Sequence, residues 1–278
     1  MAQPRPSREP RKPSRGREAR SASRKTSRAA DAGTKKGGDR RDARAKSTRR
    51  DQARARTESK RRRYEPVHLS DDVVAELKAT ARPGKGDILV EVFSRAAAAF
   101  AAEDFDEAIL LGEQSKHIAL RSPAVREFLG LALYRRARWK EAASELSAFR
   151  RLTESQDQNP VIADCYRALG RPQRALELCG EIDPKRVSPA IYYEGVIVAS
   201  GALRDLGRTD EAMSLLESLE LDPERVEEHH LRARYALADL LEHRGRFTQA
   251  RKLFAAIATQ APEVTDAPQR AARLERRS

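Results

Sequence analysis

The residues best equipped for chemistry are Glu227, Glu228, His229 and His230, with His243 further along. Imidazole and carboxylate are the donors that hold a zinc ion or pass a proton. Ligation requires side chains that converge, and neighbours on a helix point about 100° apart. The cluster therefore reads as the solvated start of a helix, and no metal or other cofactor is assigned. Cys165 and Cys179, the two cysteines, fall in Ala/Leu-rich runs where a thiol acts as a small apolar group. Two cysteines make no disulfide framework and suit a reducing interior, so a cytoplasmic location is expected. The "GKG" at 84–86 has neither the spacing nor the preceding strand of a phosphate-binding loop. No Ser/His/Asp, Cys/His or paired-carboxylate pattern stands at a meaningful spacing, and a non-enzymatic protein is expected.

Charge is the chemistry that remains, and it is unevenly placed. Residues 1–64 contain 24 Lys and Arg against 7 Asp and Glu, and no Leu, Ile, Val, Phe or Trp. Residues 65–278 carry 31 basic and 35 acidic groups, so the high isoelectric point belongs to the N-terminal stretch. A segment without large apolar side chains cannot offset an ordering cost of about 1–2 kcal/mol per residue. Residues 1–64 are expected to be a disordered polybasic tail. Its runs, including Arg49, Arg50, Arg61, Arg62 and Arg63, suit phosphate contacts with counterion release. Tyr64 is its single aromatic, so base stacking and sequence specificity are not expected. An anionic membrane surface suits it less, because no apolar wedge accompanies the charge. The opening residues lack the apolar run of a secretory signal. No run reaches the roughly 18–20 apolar residues that span a bilayer.

Positioning the remaining polar groups falls to helices interrupted by a recurrent break. Aligned on the alanine after each break, "FDEA", "WKEA", "PQRA", "TDEA" and "FTQA" place Ala108, Ala142, Ala175, Ala212 and Ala250 at intervals of 34, 33, 37 and 38 residues. Twelve residues earlier stand Ala96, Gly130, Ala163, Ser200 and Ala238, all small. Small residues on both sides of a turn let two antiparallel helices approach closely. Leu133, Tyr166, Leu203 and Leu241 before the break, and Leu146, Leu216, Phe254, Phe149 and Ile257 after it, add an apolar stripe at helical spacing. Gly170, Gly207 and Gly245 fall where the first helix must end in a left-handed residue. Phe105, Trp139 and Phe247 are turn aromatics, and Asn159-Pro160 reads as an N-cap followed by a first-turn proline. Ser70 is expected to cap a short helix carrying Val73, Val74 and Leu77, while "TDAPQRAARLERRS" reads as a polar helix that solvates the last unit.

This small/Ala pattern over a helix-turn-helix of about 34 residues resembles the tetratricopeptide repeat. The likeness covers about 89–262. Unit one departs from it at Arg95, where a large apolar residue is usual, and at Gly112, in the second-helix core. It reads as a worn terminal repeat. Unit three lacks the turn aromatic and has a short second helix. The run "VIADCYRALGRPQRALEL" beside a basic Pro/Ser tail is similar to tetratricopeptide proteins of actinobacteria, a group without an assigned activity. The resemblance implies an all-α, right-handed α-solenoid of about five helix pairs behind a disordered basic N-terminal tail. The expected division is the tail over 1–64, a capping helix and loop over 65–86, the solenoid over 87–262, and a polar C-terminal helix over 263–278.

In that geometry the first helix of each unit lines a concave groove. The corresponding residues here are Glu127, Tyr134, Arg135, Asp164, Arg167, Arg204, Asp205, Arg232, Tyr235, Asp239 and His243. Tyr134 and Tyr235 are candidate anchors, and Arg135, Arg167 and Arg204 recur at neighbouring places of three successive units. The Lys/Asn set of a dicarboxylate clamp is missing. The expectation is a protein-binding scaffold that holds a segment rich in Asp and Glu, while the arm tethers the pair non-specifically to nucleic acid or ribonucleoprotein. The alternative is a protein-only adaptor whose tail solubilises it or folds back on acids such as Glu217, Glu220, Asp222, Glu224, Glu227 and Glu228.

Overall fold

The computed structural model describes residues 64–263 and 265–276. These contain twelve α-helices and no strand. A capping helix α1 (Asp71–Thr80) precedes five antiparallel pairs. The pairs are α2 (Gly86–Ala101) with α3 (Phe105–Ile118), α4 (Pro123–Arg135) with α5 (Trp139–Thr153), α6 (Asn159–Ala168) with α7 (Pro172–Gly180), α8 (Pro189–Asp205) with α9 (Thr209–Glu217), and α10 (Glu228–His243) with α11 (Phe247–Gln260). Helix α12 (Ala267–Glu275) closes the stack. Each second helix packs on the first helix of the next unit, and first helices also touch one another, as α8 does with α6 and α10. Second helices have no comparable mutual packing among the described residues. The stack therefore curves, with first helices on its inner face.

The alanine register sets these pairs. Ala108, Ala142, Ala175, Ala212 and Ala250 are each fully buried, as are Ala96, Ala163 and Ala238. At Gly130 the contact is closest: a Cβ there would stand 2.5 Å from Leu146 Cγ. Every unit then makes the same turn. The N–H groups of Asp104, Arg138, Arg171, Arg208 and Arg246 each donate to a carbonyl five residues back, at 2.8–2.9 Å, the helix-ending bond of a Schellman motif. The residue before each donor is left-handed. Gly170, Gly207 and Gly245 fill that place in units three to five, and Glu103 (φ 57) and Ala137 (φ 56) fill it in units one and two. A side chain at such a position costs about 1–2 kcal/mol.

Several ends differ from the sequence expectation. Asn159 is the first residue of α6 rather than its cap, which is Gln158. Its buried amide donates across the pair to the Leu178 carbonyl (3.3 Å). Ser70 is the N-cap of α1 without a side-chain bond, whereas Ser122 and Ser188 accept from Val125 and Ile191 ahead of α4 and α8. Arg95 departs from the apolar pattern because its Nε donates to the Tyr64 carbonyl (3.2 Å). Tyr64 in turn donates to Asp104 (3.0 Å), fixing the chain on unit one. Gly112 makes room for Phe128 and Leu129 of α4. Helix α12 does more than solvate the end, since Ala267 and Leu274 are fully buried in the last core cluster. The disordered-tail expectation lies outside the described residues.

Two substitutions test this packing with opposite signs. Gly130→Ala should destabilise the protein by about 1–3 kcal/mol through overpacking against Leu146. Ala137→Gly should stabilise it by about 1 kcal/mol by relieving the left-handed alanine. Denaturant unfolding followed by circular dichroism reads both, and equal midpoints for the two variants would contradict the register.

Candidate functional site

On the inner face the first-helix polar residues form a ladder from unit to unit. Tyr134 donates to Asp164 Oδ2 (2.7 Å). Arg167 donates through Nη1 to Asp164 (2.9 Å) and through Nε to Asp205 (3.0 Å). Arg204 reaches Asp239 (3.2 Å), which also accepts from Arg270 of α12 (2.9 Å). Tyr235 donates to Asp266 (2.6 Å) and accepts from Arg270 (3.1 Å). Arg135 turns away from this line, to Glu103 (3.2 Å) and over the Phe105 ring (4.3 Å). The three recurring arginines are therefore already engaged with carboxylates of their own chain. Burial, with the Asp164 carboxylate beside it, drives the Tyr134 hydroxyl well above the usual tyrosine range.

Beyond the ladder the face opens into two cavities. The larger, about 590 Å³, is walled by Ile197 of α8, Leu231, Tyr235 and Ala236 of α10, Ile257 and Ala261 at α11, and Val226 of the preceding loop. The smaller, about 430 Å³, has Pro160, Val161, Ala190 and Ile191 for its apolar part and Asp157 and Glu194 at its edge. Both share Glu227, Glu228 and Arg232. Arg232 pairs with Glu194 at 2.7 Å, yet burial, reinforced by Asp164 and Glu228, holds the Glu194 carboxyl above its ordinary pKa. Glu127 is likewise raised by burial, although it accepts from Gln158 (2.8 Å). Carboxylates outweigh cations around these openings.

Residues 203–274 match the family model described as Tetratricopeptide repeat. That segment is similar to the tetratricopeptide repeat. The fold of the chain recurs in TTC0263, a thermophilic tetratricopeptide protein of Thermus thermophilus, at 21% identity over 67% of this chain and 98% of that one, with a TM-score of 0.52. A tetratricopeptide protein of Parabacteroides merdae superposes with a TM-score of 0.50 at 17% identity, covering 68% of this chain and 72% of that one. The apo quorum sensor NprR of B. thuringiensis does so at 0.55 and 14% identity, over 73% and 61%. Likeness at this level establishes the fold. No protein of curated function matches the sequence significantly.

Within the helical array, sequence reasoning placed the groove residues on the first helices but missed what holds them. Gly201, inside α8, resembles a helix-weakening glycine. A Cβ there would stand 2.5 Å from the Arg167 guanidinium carbon, so the glycine seats that side chain against α8. Arg234 was not anticipated either. It is buried and donates to the Leu221 carbonyl, Gln260 (2.7 Å) and Asp222 (2.7 Å), tying the loop before α10 to α10 and α11. That loop supplies Val226 and Glu227 to the larger cavity. The extra length was visible in the intervals of 37 and 38 residues, which follow the nine-residue helices α7 and α9.

The residues singled out for chemistry take supporting places. His230 is buried, and its Nδ1 accepts from the Glu227 N–H (3.0 Å). His229 lies edge-on to Tyr193 with its pKa lowered, first by burial and then by His230. His243 is exposed at the end of α10. Among the described residues no group of three His, Cys, Asp or Glu is placed to hold a metal ion. Burial pushes the Cys165 and Cys179 thiols up to about 12, far from thiolate reactivity. Arg49, Arg50, Arg61, Arg62 and Arg63 lie outside the described residues.

If the ladder is structural, Arg167 and Asp205 must couple in stability. A double-mutant cycle with Arg167→Ala and Asp205→Ala should give an interaction of about 1 kcal/mol. Strict additivity of the two single changes would mean that Arg167 is a free cation on the face.

Proposed function

We propose that this tetratricopeptide array is a non-enzymatic scaffold that holds a protein segment on its inner face, across α8 and α10. The observation that carries this reading is the pair of adjoining cavities on a face whose neighbouring polar groups are already paired. Such a surface is preorganised, so a ligand meets apolar walls without first disrupting the ladder. Glu127, Tyr134, Arg135, Asp164, Arg167, Arg204, Asp205 and Asp239 shape and stiffen the face, and Arg232 and Tyr235 border the openings. The fold supports a partner-binding role, which extends here to a cytoplasmic adaptor. No described helix is long and apolar enough to cross a membrane.

The basic stretch 1–64 gives the adaptor its second contact, with nucleic acid or ribonucleoprotein. Its composition favours phosphate neutralisation without sequence preference. A solubilising tail on a protein-only adaptor is the competing reading.

Photo-crosslinkers placed in the full chain at Ala236 on the inner face and at Leu110 on α3 separate the two sides of the stack. Adducts to a protein should form in host cells from Ala236 and not from Leu110, and the reverse pattern would refute the inner-face reading. For the arm, replacing Arg49, Arg50, Arg61, Arg62 and Arg63 by Gln should flatten the salt dependence of duplex DNA binding, by about 0.9 in log–log slope for each phosphate no longer neutralised. An unchanged slope would assign the arm a solubilising role.

A further inference from the structure

The chemistry of the bound segment follows from the two cavities taken together. The walls of the larger are aliphatic and aromatic, Ile197, Leu231, Tyr235, Ala236 and Ile257 among them, and they take a large apolar side chain. The border shared with the smaller one is acidic. Arg232 is committed to Glu194, and among the described residues Asp157 and Glu228 have no Lys or Arg within ion-pair distance. The arginines that would attract an acidic segment are taken: Arg167 by Asp164 and Asp205, Arg204 by Asp239. An incoming carboxylate would have to displace those partners and would lie near Glu227 and Glu228. An incoming cation meets unneutralised acids at once.

Resting on the inner-face reading above, we propose that the segment carries a large apolar residue for the Ile197–Leu231–Ala236 cavity and an adjacent Lys or Arg for Asp157 and Glu228. The acidic segment expected from the arginine spacing gives way to a basic one. The chain's own arm satisfies half of this requirement: it is rich in Arg but holds no Leu, Ile, Val, Phe or Trp before Tyr64, and Tyr64 is bonded to Asp104. The arm lacks the Leu, Ile, Val, Phe or Trp that suits the cavity, so the occupant is a separate protein.

The test is selection of phage-displayed random linear peptides on the full chain, after clearing on full-chain Ala236→Lys to remove binders of the arm. The recovered sequences should pair Leu, Ile, Met, Phe or Trp with a neighbouring Lys or Arg. A synthetic peptide of the recovered sequence should bind Ala236→Lys at least about tenfold more weakly. Glu228→Lys, exposed in the first turn of α10, should weaken it roughly three- to tenfold. Arg174→Ala, on α7, should leave it unchanged, with circular dichroism the same for all variants. Acidic sequences, or basic sequences without an apolar residue, would overturn the proposal while leaving an inner-face site in place. Recovery of no peptide that distinguishes the wild-type chain from Ala236→Lys would overturn the inner-face reading itself.

Discussion

The rest of the structure depends on how closely the two helices of a unit approach. Gly130 against Leu146 is the tightest instance, and the buried alanines at 108, 142, 175, 212 and 250 repeat the contact five times. Close approach forces a short turn, and the short turn requires one left-handed residue and the same backbone bond in every unit. With the pair fixed as a block, its first helix packs on the second helix of the preceding block and, around α8, on the neighbouring first helices. The polar side chains on that side meet at hydrogen-bond distance as a result. The Arg167–Asp205 and Arg204–Asp239 bridges follow from the repeat geometry.

The cavities open where the repeat is least regular. Units three and four have short second helices, and the chain spends the added residues in loops 181–188 and 218–227. Arg234 anchors the second of these loops from within the core. The loop then stands as a wall over α10, and a cavity opens between units four and five. Burial at this point raises Glu194 in spite of its arginine partner, and Asp164 and Glu228 add to the effect. The same irregularity supplies both the apolar volume and the charge.

Much of the architecture was legible in the sequence because a close helix contact admits so few residue types. Small residues twelve positions apart, and glycine five before the alanine, reported the register directly. Glu103 and Ala137 show its limit, since a rigid neighbourhood holds non-glycine residues in the same left-handed place. The candidate site was legible only in outline. Spacing put Arg167 on the inner face, but its pairing with Asp205, 38 residues away, depends on how one unit is rotated against the next. Arg95 looked like a departure, and the role of Gly201 went unread, for the same reason. Their partners, the Tyr64 carbonyl and Arg167, come from distant parts of the chain.

The central claim is that the inner-face arginines are structural and leave the cavities as the open surface. Nitrogen-15 relaxation of the arginine Nε–H groups in the ligand-free full chain tests it most directly. Arg167 and Arg270, both largely buried in their ion pairs, should be as ordered as rigid backbone, with order parameters near about 0.85. Values below about 0.6 for these two groups would contradict the account, because arginines that free would be available to a ligand.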